Sequence, residues 1–431
     1  MIGRCAHLAA VLGAVLALLF AQATAAGAQD KKVTFLIHPT VYGNSGGADG
    51  AVTAFAKRSG IQVDVVTQPI IQLHEKAVVE WIARSGRYDV VSILDNYFSE
   101  EMAQYLEPLD PMLGRLPDDY ELKDVIPSLF DSVRVGGKTY GMPFQGGVVM
   151  LFYRKDLLSK YDVAVPRTLD ELLAAARKLT AGLRKDGNAD TYALGVRAKE
   201  AFVGTQDFLV FFFAAGGNLY DKDRTQCALN SAAGIATEQF YATMVKEGHV
   251  PRDLLAVGRD ELIGAFQQGR LAMVASFSTY FAQFNDPKNS RVSGQVGYAL
   301  IPTASGVQPG RTFKTFWYNV LDRNSRNKEA AWALIQEMSA KAPQIRMAST
   351  WGFGPARASA FASPEVRKTF PHAEVWGRAA AASVAVPHHP EWAKIQDAIF
   401  EEHAAVLTGR QAPERAPARM CERIQPLLGK R

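Results

Sequence analysis

Only three cysteines occur in 431 residues, which excludes a small protein held together by a disulfide framework. Cys227 and Cys421 lie far apart with no framework spacing between them, so the sequence favours leaving them unpaired. Long blocks of one charge are missing as well. The 48 Lys and Arg are interspersed among 43 Asp and Glu, and the formal excess of +5 reads as a solvated surface, with no nucleic acid expected as a partner. After residue 28 no stretch approaches the ~20 apolar residues that a membrane-spanning helix requires. Repeats of solenoid period are absent. Metal-ligand spacing is lacking too: "LHEKAV" (73–78) begins like a zinc helix but has Val78 where a second His would stand, and "HHP" (388–390) has no partners at ligand spacing. Neither metal nor cofactor is expected.

What is present begins with residues 1–28. Arg4, the apolar "LAAVLGAVLALLF" and the small-residue sites "ATA" and "AGA" form the pattern of a secretory signal peptide, which implies an exported, periplasmic protein. Cys5 precedes the apolar core, so it does not sit where a lipoprotein cysteine would. The whole chain is 48% hydrophobic and 21% charged, ordinary for a soluble protein. At roughly 100–200 residues per domain, its length suits two lobes.

Strand and helix signals alternate along the mature chain. "KVTFLIH", "IQVDVV" and "YDVVSIL" read as strands, separated by the helical stretches "DGAVTAFAKRSG" and "LHEKAVVEWIARSG". That order implies an α/β fold with a parallel sheet, whose ligands bind outside the carboxyl ends of the strands. The alternation resumes with "GKTYGMPFQGGVVMLFYRKDLLSKYDVAVPRTLDELLAAARKLT" (137–180). There, a glycine-bearing entry leads into the apolar run Val148–Tyr153, then into a helix announced by the capping box Thr168–Glu171. "DELIGAFQQGRLAMVASF", "VGYALIP" and "NKEAAWALIQEMSA" supply further helices and strands. "GRQAPERAPARM", near the end, is Pro- and Arg-rich and reads as surface-bound or loosely ordered.

The order "YDVVSILDNYFSEEMAQYLEPLD", "GKTYGMPF", "LFYRKDLLSKYDVAVPRTLDELLAAARKLT", "AAGGNLYD", "AFQQGRLAMVASFSTYF", "VGYALIPT" and "NSRNKEAAWALIQEMS" resembles the extracellular solute-binding proteins of sugar ABC importers, the maltose-binding-protein-like family. The resemblance covers most of the mature chain. It implies a two-lobed periplasmic-binding-protein fold, each lobe a sheet flanked by helices, joined by crossing segments. It places lobe one at 29–143 plus 297–340 and lobe two at 144–296 plus 341–431, with the glycines of "FQGG" letting the backbone turn between them. It also implies a carbohydrate ligand (sugar, oligosaccharide or polyol), an ABC importer permease as membrane partner, a monomer, and no catalysis.

A carbohydrate site needs aromatic faces for C–H surfaces and planar polar groups for hydroxyls, since a polar group left unpaired on closure costs about 1–3 kcal/mol. Strand ends and crossings offer Asp95 and Asn96, which equally suit a helix N-cap, and Tyr42 and Asn44, which equally suit a turn beside Gly43. Phe144 and Gln145 flank the first crossing. Tyr280 follows "AM", and Trp317 follows a strand where relatives often carry a glycine turn; Thr315 and Phe316 replace those glycines here. Trp351, Gly352 and Arg357 lie in "STWGFGPAR", although an Arg is more often a structural ion-pair partner. Trp81, Trp332, Trp376 and Trp392 lie in helical stretches and read as packing.

Two alternatives use one loop. "GNSGG" (43–47) matches G-x-S-x-G, which would make Ser45 the nucleophile of a secreted hydrolase, yet it follows the first strand and leaves no room for an upstream oxyanion loop. The Gly43–Gly50 loop could instead hold a phosphorylated or other anionic solute at a helix N-terminus. An adaptor that presents its loaded form to a receptor is a third class, which sequence does not separate from transport.

Overall fold

Three parallel strands open the chain in the computed structural model, which describes residues 32–386, 389 and 391–428. The expected leader, 1–28, lies outside the described residues. Strand β1 (Lys32–Ile37) is followed by helices α1 (Pro39–Asn44) and α2 (Ala51–Ser59), then β2 (Gln62–Thr67), α3 (Ile70–Ile82), β3 (Val90–Leu94) and the short α4 (Glu100–Ala103). β1 pairs in parallel with β2, from Lys32 opposite Gln62 to Ile37 opposite Thr67, and with β3 at Phe35 opposite Val90. Phe35 and Ile37 bury against Val52 and Phe55, whereas Leu36 buries on the other face with Leu73 and Trp81. Helices therefore cover both faces, and this is why the strands are apolar on both.

β4 (Gly141–Arg154) runs fourteen residues without a break. After it come α5 (Leu169–Lys185), β5 (Tyr192–Gly195), α6 (Ala201–Ala214), α7 (Ala232–Lys246), α8 (Arg259–Gln267), β6 (Leu271–Phe277) and β7 (Val296–Ala299). The chain ends with β8 (Thr312–Leu321), α9 (Lys328–Ser339), α10 (Lys341–Trp351), α11 (Ala373–Ala381), β9 (Ser383–Val384), α12 (Trp392–Leu407) and α13 (Ala416–Leu428). α5 starts as its capping box requires: Thr168 Oγ1 accepts from the Glu171 N–H at 3.0 Å and Glu171 Oε2 accepts from the Thr168 N–H at 3.3 Å. Leu172, Ala176, Leu179 and Leu183 then face the core.

A nine-stranded sheet among the described residues has the order β2-β1-β3-β8-β4-β6-β5, with β9 beside β8 and β7 beside β4. Two long strands span it. β8 pairs with β3 through Trp317–Leu321 and with β4 through Lys314–Val320. The far half of β4 pairs with β6 and β7 through Val149–Arg154. β4 and β8 thus form an antiparallel ribbon that joins β1–β3 at one end to β5–β7 at the other.

Four expectations change. The "FQGG" glycines do not bend the chain, since Gly146 lies inside extended β4. It is glycine for lack of space: a Cβ there would stand 2.3 Å from the Phe316 ring and 2.4 Å from the Thr315 carbonyl oxygen. The loop after β1 folds into α1, with His38 as its N-cap. The Pro- and Arg-rich tail contributes to α13, which buries Met420 and Ile424. Cys227 and Cys421 are disulfide-bonded, their Cα atoms 5.3 Å apart across 194 residues of sequence; folding α13 onto the second lobe's core brings them together.

Candidate functional site

Side chains alternate along a strand, so the ribbon has two faces. Thr315 lies opposite Gly147 and Trp317 opposite Gln145, and these four share one face, here termed the front. Lys314 opposite Val148 and Phe316 opposite Gly146 share the rear. Thr315 and Trp317 are half-exposed, whereas Lys314 and Phe316 are buried. A Cβ on Gly147 would lie within 3.5 Å of Ser278 and Thr279, just beyond β6. The carboxyl ends of β1 and β3 from one lobe and of β6 from the other therefore converge on the front, where ligands of open α/β sheets bind.

His38, immediately after β1, holds its ring 5.5 Å from Trp317 and accepts from the Thr40 N–H through Nδ1 at 3.2 Å. Burial lowers its pKa, and the positive charge of Arg259, from the second lobe, lowers it further. The Arg259 guanidinium lies against the Tyr280 hydroxyl; burial raises the Tyr280 pKa, and Arg259 and Arg197 oppose that rise. On the ribbon, Gln145 Oε1 is buried without a partner, as is Asn96 Oδ1 beyond β3. Tyr97, next along, stacks on His74 with centroids 4.1 Å apart and planes 10° from parallel. Neither ring nitrogen of His74 has a partner among the described residues, and burial pulls its pKa down to about 3. The front thus offers aromatic faces beside acceptors that have no donor among the described residues.

The expected residues divide between the front and elsewhere. Tyr42 and Asn44 are half-buried on α1 at the rim. Asn96, Gln145, Tyr280 and Trp317 lie at strand ends or on the front face. Asp95 does not join them. It is 2% exposed and interacts with Lys314 on the rear: burial pushes it up to about 7, opposed by Lys314 and by the N–H groups of Phe316 and Asn96. Lys314 donates to the Ser128 carbonyl at 2.9 Å, and burial draws its pKa down to about 8 against the pull of Asp95 and Asp131.

Phe144 is fully buried, its ring 5.4 Å from Phe353, so it packs the core. Arg357 is also fully buried. It donates to the carbonyls of Ser339 (2.7 Å), Glu121 (3.0 Å) and Tyr120 (2.9 Å) and to Asp124 Oδ2 (3.3 Å), and it lies over the Tyr120 ring. Those bonds occupy each of its nitrogens and make it a structural clamp, the alternative its type favoured. Trp351 packs over Gly46, and Gly352 (φ 76°) ends α10 in the left-handed conformation. Trp81, Trp332 and Trp376 are buried as expected.

Sequence reasoning missed His38, Tyr97, His74 and Arg259. His38 and Tyr97 could have been found, since each directly adjoins a strand end already singled out. The stacking of His74 under Tyr97 and the approach of α8 to the front carry no local signal. The loop read as a nucleophile elbow is closed to such chemistry: Ser45 is 1% exposed and its Oγ donates to the Val41 carbonyl at 2.9 Å. The anion-binding reading of the same loop loses several of its donors. The N–H groups of Ser45, Gly46, Asp49, Gly50 and Ala51 already serve the carbonyls of Tyr42, Gly43, Gly46, Gly47 and Ser45.

A family model described as bacterial extracellular solute-binding protein matches residues 44–345. A probable ABC transporter-binding protein of Deinococcus radiodurans is 26% identical over 406 residues, covering 93% of this chain and 94% of that protein. The mannitol-binding protein of Pseudomonas aeruginosa is 24% identical over 365 residues, covering 80% and 81% of the two chains. Among solved structures, the sugar-binding protein MalE of Xanthomonas citri superposes with a TM-score of 0.80 at 24% identity, covering 93% of this chain and 98% of that one. That likeness establishes the two-lobed fold.

Proposed function

Because the chain belongs to the bacterial extracellular solute-binding proteins, we propose that it binds a carbohydrate, whether sugar, oligosaccharide or polyol, at the front of the ribbon. In this reading it works in the periplasm as a monomer without catalysis, and a membrane ABC permease receives the solute from it. The observation that carries the proposal is the pairing of Trp317, beside His38, with the unpartnered acceptors of Gln145 and Asn96. An aromatic face packs the C–H surface of a carbohydrate, and its hydroxyls can donate to those two acceptors. The mannitol ligand named for one relative is of this class.

The lobes are proposed to meet at Gly146–Val148 in β4, at Lys314–Phe316 in β8 and at Ala382–Val386. The support is that β7 pairs within the far half of β4, whereas Arg357 and α10 pack with the first lobe. Rotation about the ribbon would close the front over the solute, which shifts an open–closed equilibrium toward closed.

Thermal unfolding of protein stripped of ligand, with D-mannitol, ribitol, maltose, sugar phosphates and amino acids, tests the reading. A binder at a hundredfold excess over its Kd stabilises the folded form by about 2.7 kcal/mol. A raised midpoint with a neutral carbohydrate supports the proposal. Shifts confined to phosphates or amino acids overturn it.

A further inference from the structure

On the second lobe's wall of the front, donors gather where the ribbon offers acceptors. The loop after β5 carries Arg197 and the start of α8 carries Arg259. Backbone bonds tie these two places together, since the N–H groups of Ala198 (3.0 Å) and Lys199 (3.1 Å) both donate to the Val257 carbonyl. β5 and β6 run parallel, so their carboxyl ends set Arg197 and Tyr280 at the same edge of the sheet. Arg259 lies against the Tyr280 hydroxyl, and its charge acts on His38 across the front.

Each of these groups is left able to donate. Arg197 is 2% exposed, and its Nε and Nη2 have no hydrogen-bond partner among the described residues, although Asp207 Oδ2 lies 3.5 Å from Nε. Arg259 gives its Nε to Asp260 Oδ1 at 3.0 Å, and both side chains are exposed. A guanidinium only donates, so that bond leaves its Nη groups for Tyr280 and for a ligand. The Tyr280 oxygen accepts from Arg259 and keeps its own proton to give. His38 Nδ1 accepts from the Thr40 N–H, which puts the ring proton on Nε2. Glu261, the next acid along α8, is occupied by Lys199 Nζ (2.7 Å) and the Gly258 N–H (3.1 Å). The start of α8 itself adds partial positive charge beside Arg259.

We propose that the preferred solute is an acidic carbohydrate, whose body packs on Trp317 and the ribbon while a terminal carboxylate lies between Arg259, Tyr280 and His38. This rests on the carbohydrate reading above and narrows it to sugar acids such as aldonates and uronates. A carboxylate only accepts, so every donor of this wall finds a partner in it. A neutral hydroxyl brings a proton that needs an acceptor of its own, and this wall has few to offer. Arg259 is the residue that sets the preference, and buried Arg197 adds its field at Tyr280 without touching the solute.

Calorimetric titration with pairs that differ only in one end group tests this: D-mannonate against D-mannitol, and D-glucuronate against D-glucose. The wild-type protein should bind the acid of at least one pair about tenfold or more tighter than its neutral counterpart, the scale of one charge-assisted hydrogen bond. Arg259→Gln should bring that ratio close to one, and Arg259→Lys should keep part of it. Added salt should lower the wild-type ratio, because Arg259 is exposed. Acids that bind no tighter than their neutral counterparts, or a ratio that survives Arg259→Gln, overturn the acidic preference and leave the carbohydrate reading standing. Tighter binding of D-mannitol 1-phosphate than of D-mannonate overturns the carboxylate assignment. Trp317→Ala separates the two proposals, since it should weaken both members of a pair and keep their ratio. Affinities unchanged in Trp317→Ala, with the ratio still lost in Arg259→Gln, would sink the carbohydrate placement and leave the donor wall standing.

Discussion

The two faces of the β4–β8 ribbon come from the same residues in alternation, yet they are built for opposite ends. On the front, Trp317 and Thr315 stay half-exposed, and Gln145 and Asn96 keep acceptors without donors. On the rear, Phe316 fills the space above Gly146, and Lys314 is buried between Asp95, Asp131 and the Ser128 carbonyl. The faces differ in exposure rather than in unsatisfied groups, since Asp95 Oδ2 and Ser132 Oγ at the rear are also buried without a partner among the described residues. A surface that is to receive a solute must keep stacking faces and hydrogen-bonding groups within reach, whereas a surface that only sets lobe geometry gains by burying its own.

The strongest way to test the division is to attack a residue the sequence placed at the cleft and the structure places in the frame. Arg357→Ala should lower unfolding free energy by about 3–5 kcal/mol, since Asp124 and three carbonyls lose a buried cationic partner; chemical denaturation measures it. A stability loss under about 1 kcal/mol would return Arg357 to the candidate site.

Next in size, Gly146→Val should cost about 2–3 kcal/mol by overpacking against Phe316 and the Thr315 carbonyl. Thr315→Val, on the front of the same ribbon, should cost less than about 1 kcal/mol. Equal losses from the two would mean that the faces do not differ in packing.

Acid separates the regions in another way. Burial holds the His74 pKa down to about 3 and the His372 pKa down to about 4, so between pH 6.5 and 4 the unfolded chain binds about one to two more protons than the folded one at these residues. Asp95, raised to about 7, works against them: across that range it is protonated when folded and ionised when unfolded. Net stability from the three should fall by about 1.4 kcal/mol per unit as pH drops from 6.5 to 4. Asp95→Asn removes the opposing group and should roughly double that slope. An unchanged slope in this variant would place Asp95 outside the buried rear pair.

Periodic and punctuated features carried most of the fold. The alternating strands and helices of the first lobe, the Thr168–Glu171 cap and the run from Val148 are local patterns with local causes, and all three are present. What a sequence could not convey was which face of a strand a residue takes and how far apart its partners lie. Asp95 and Asn96 adjoin one another at a strand end, yet Asp95 is buried beside Lys314 at the rear while Asn96 stays half-buried. Gly146 read as a flexible turn, whereas it lies in an extended strand and is glycine because of the Phe316 ring, which lies 170 positions further along. The Cys227–Cys421 bond depends on α13 folding back onto the second lobe, which a Pro- and Arg-rich stretch did not announce.

Calorimetric titration of wild type and Trp317→Ala with D-mannitol, ribitol and maltose tests the central claim most directly, because Trp317 supplies a stacking face beside His38 on the front. For whichever of these carbohydrates the wild-type protein binds, Trp317→Ala should weaken binding about tenfold or more through loss of a stacking face. Equal binding by wild type and Trp317→Ala would contradict the assignment of solute to the front.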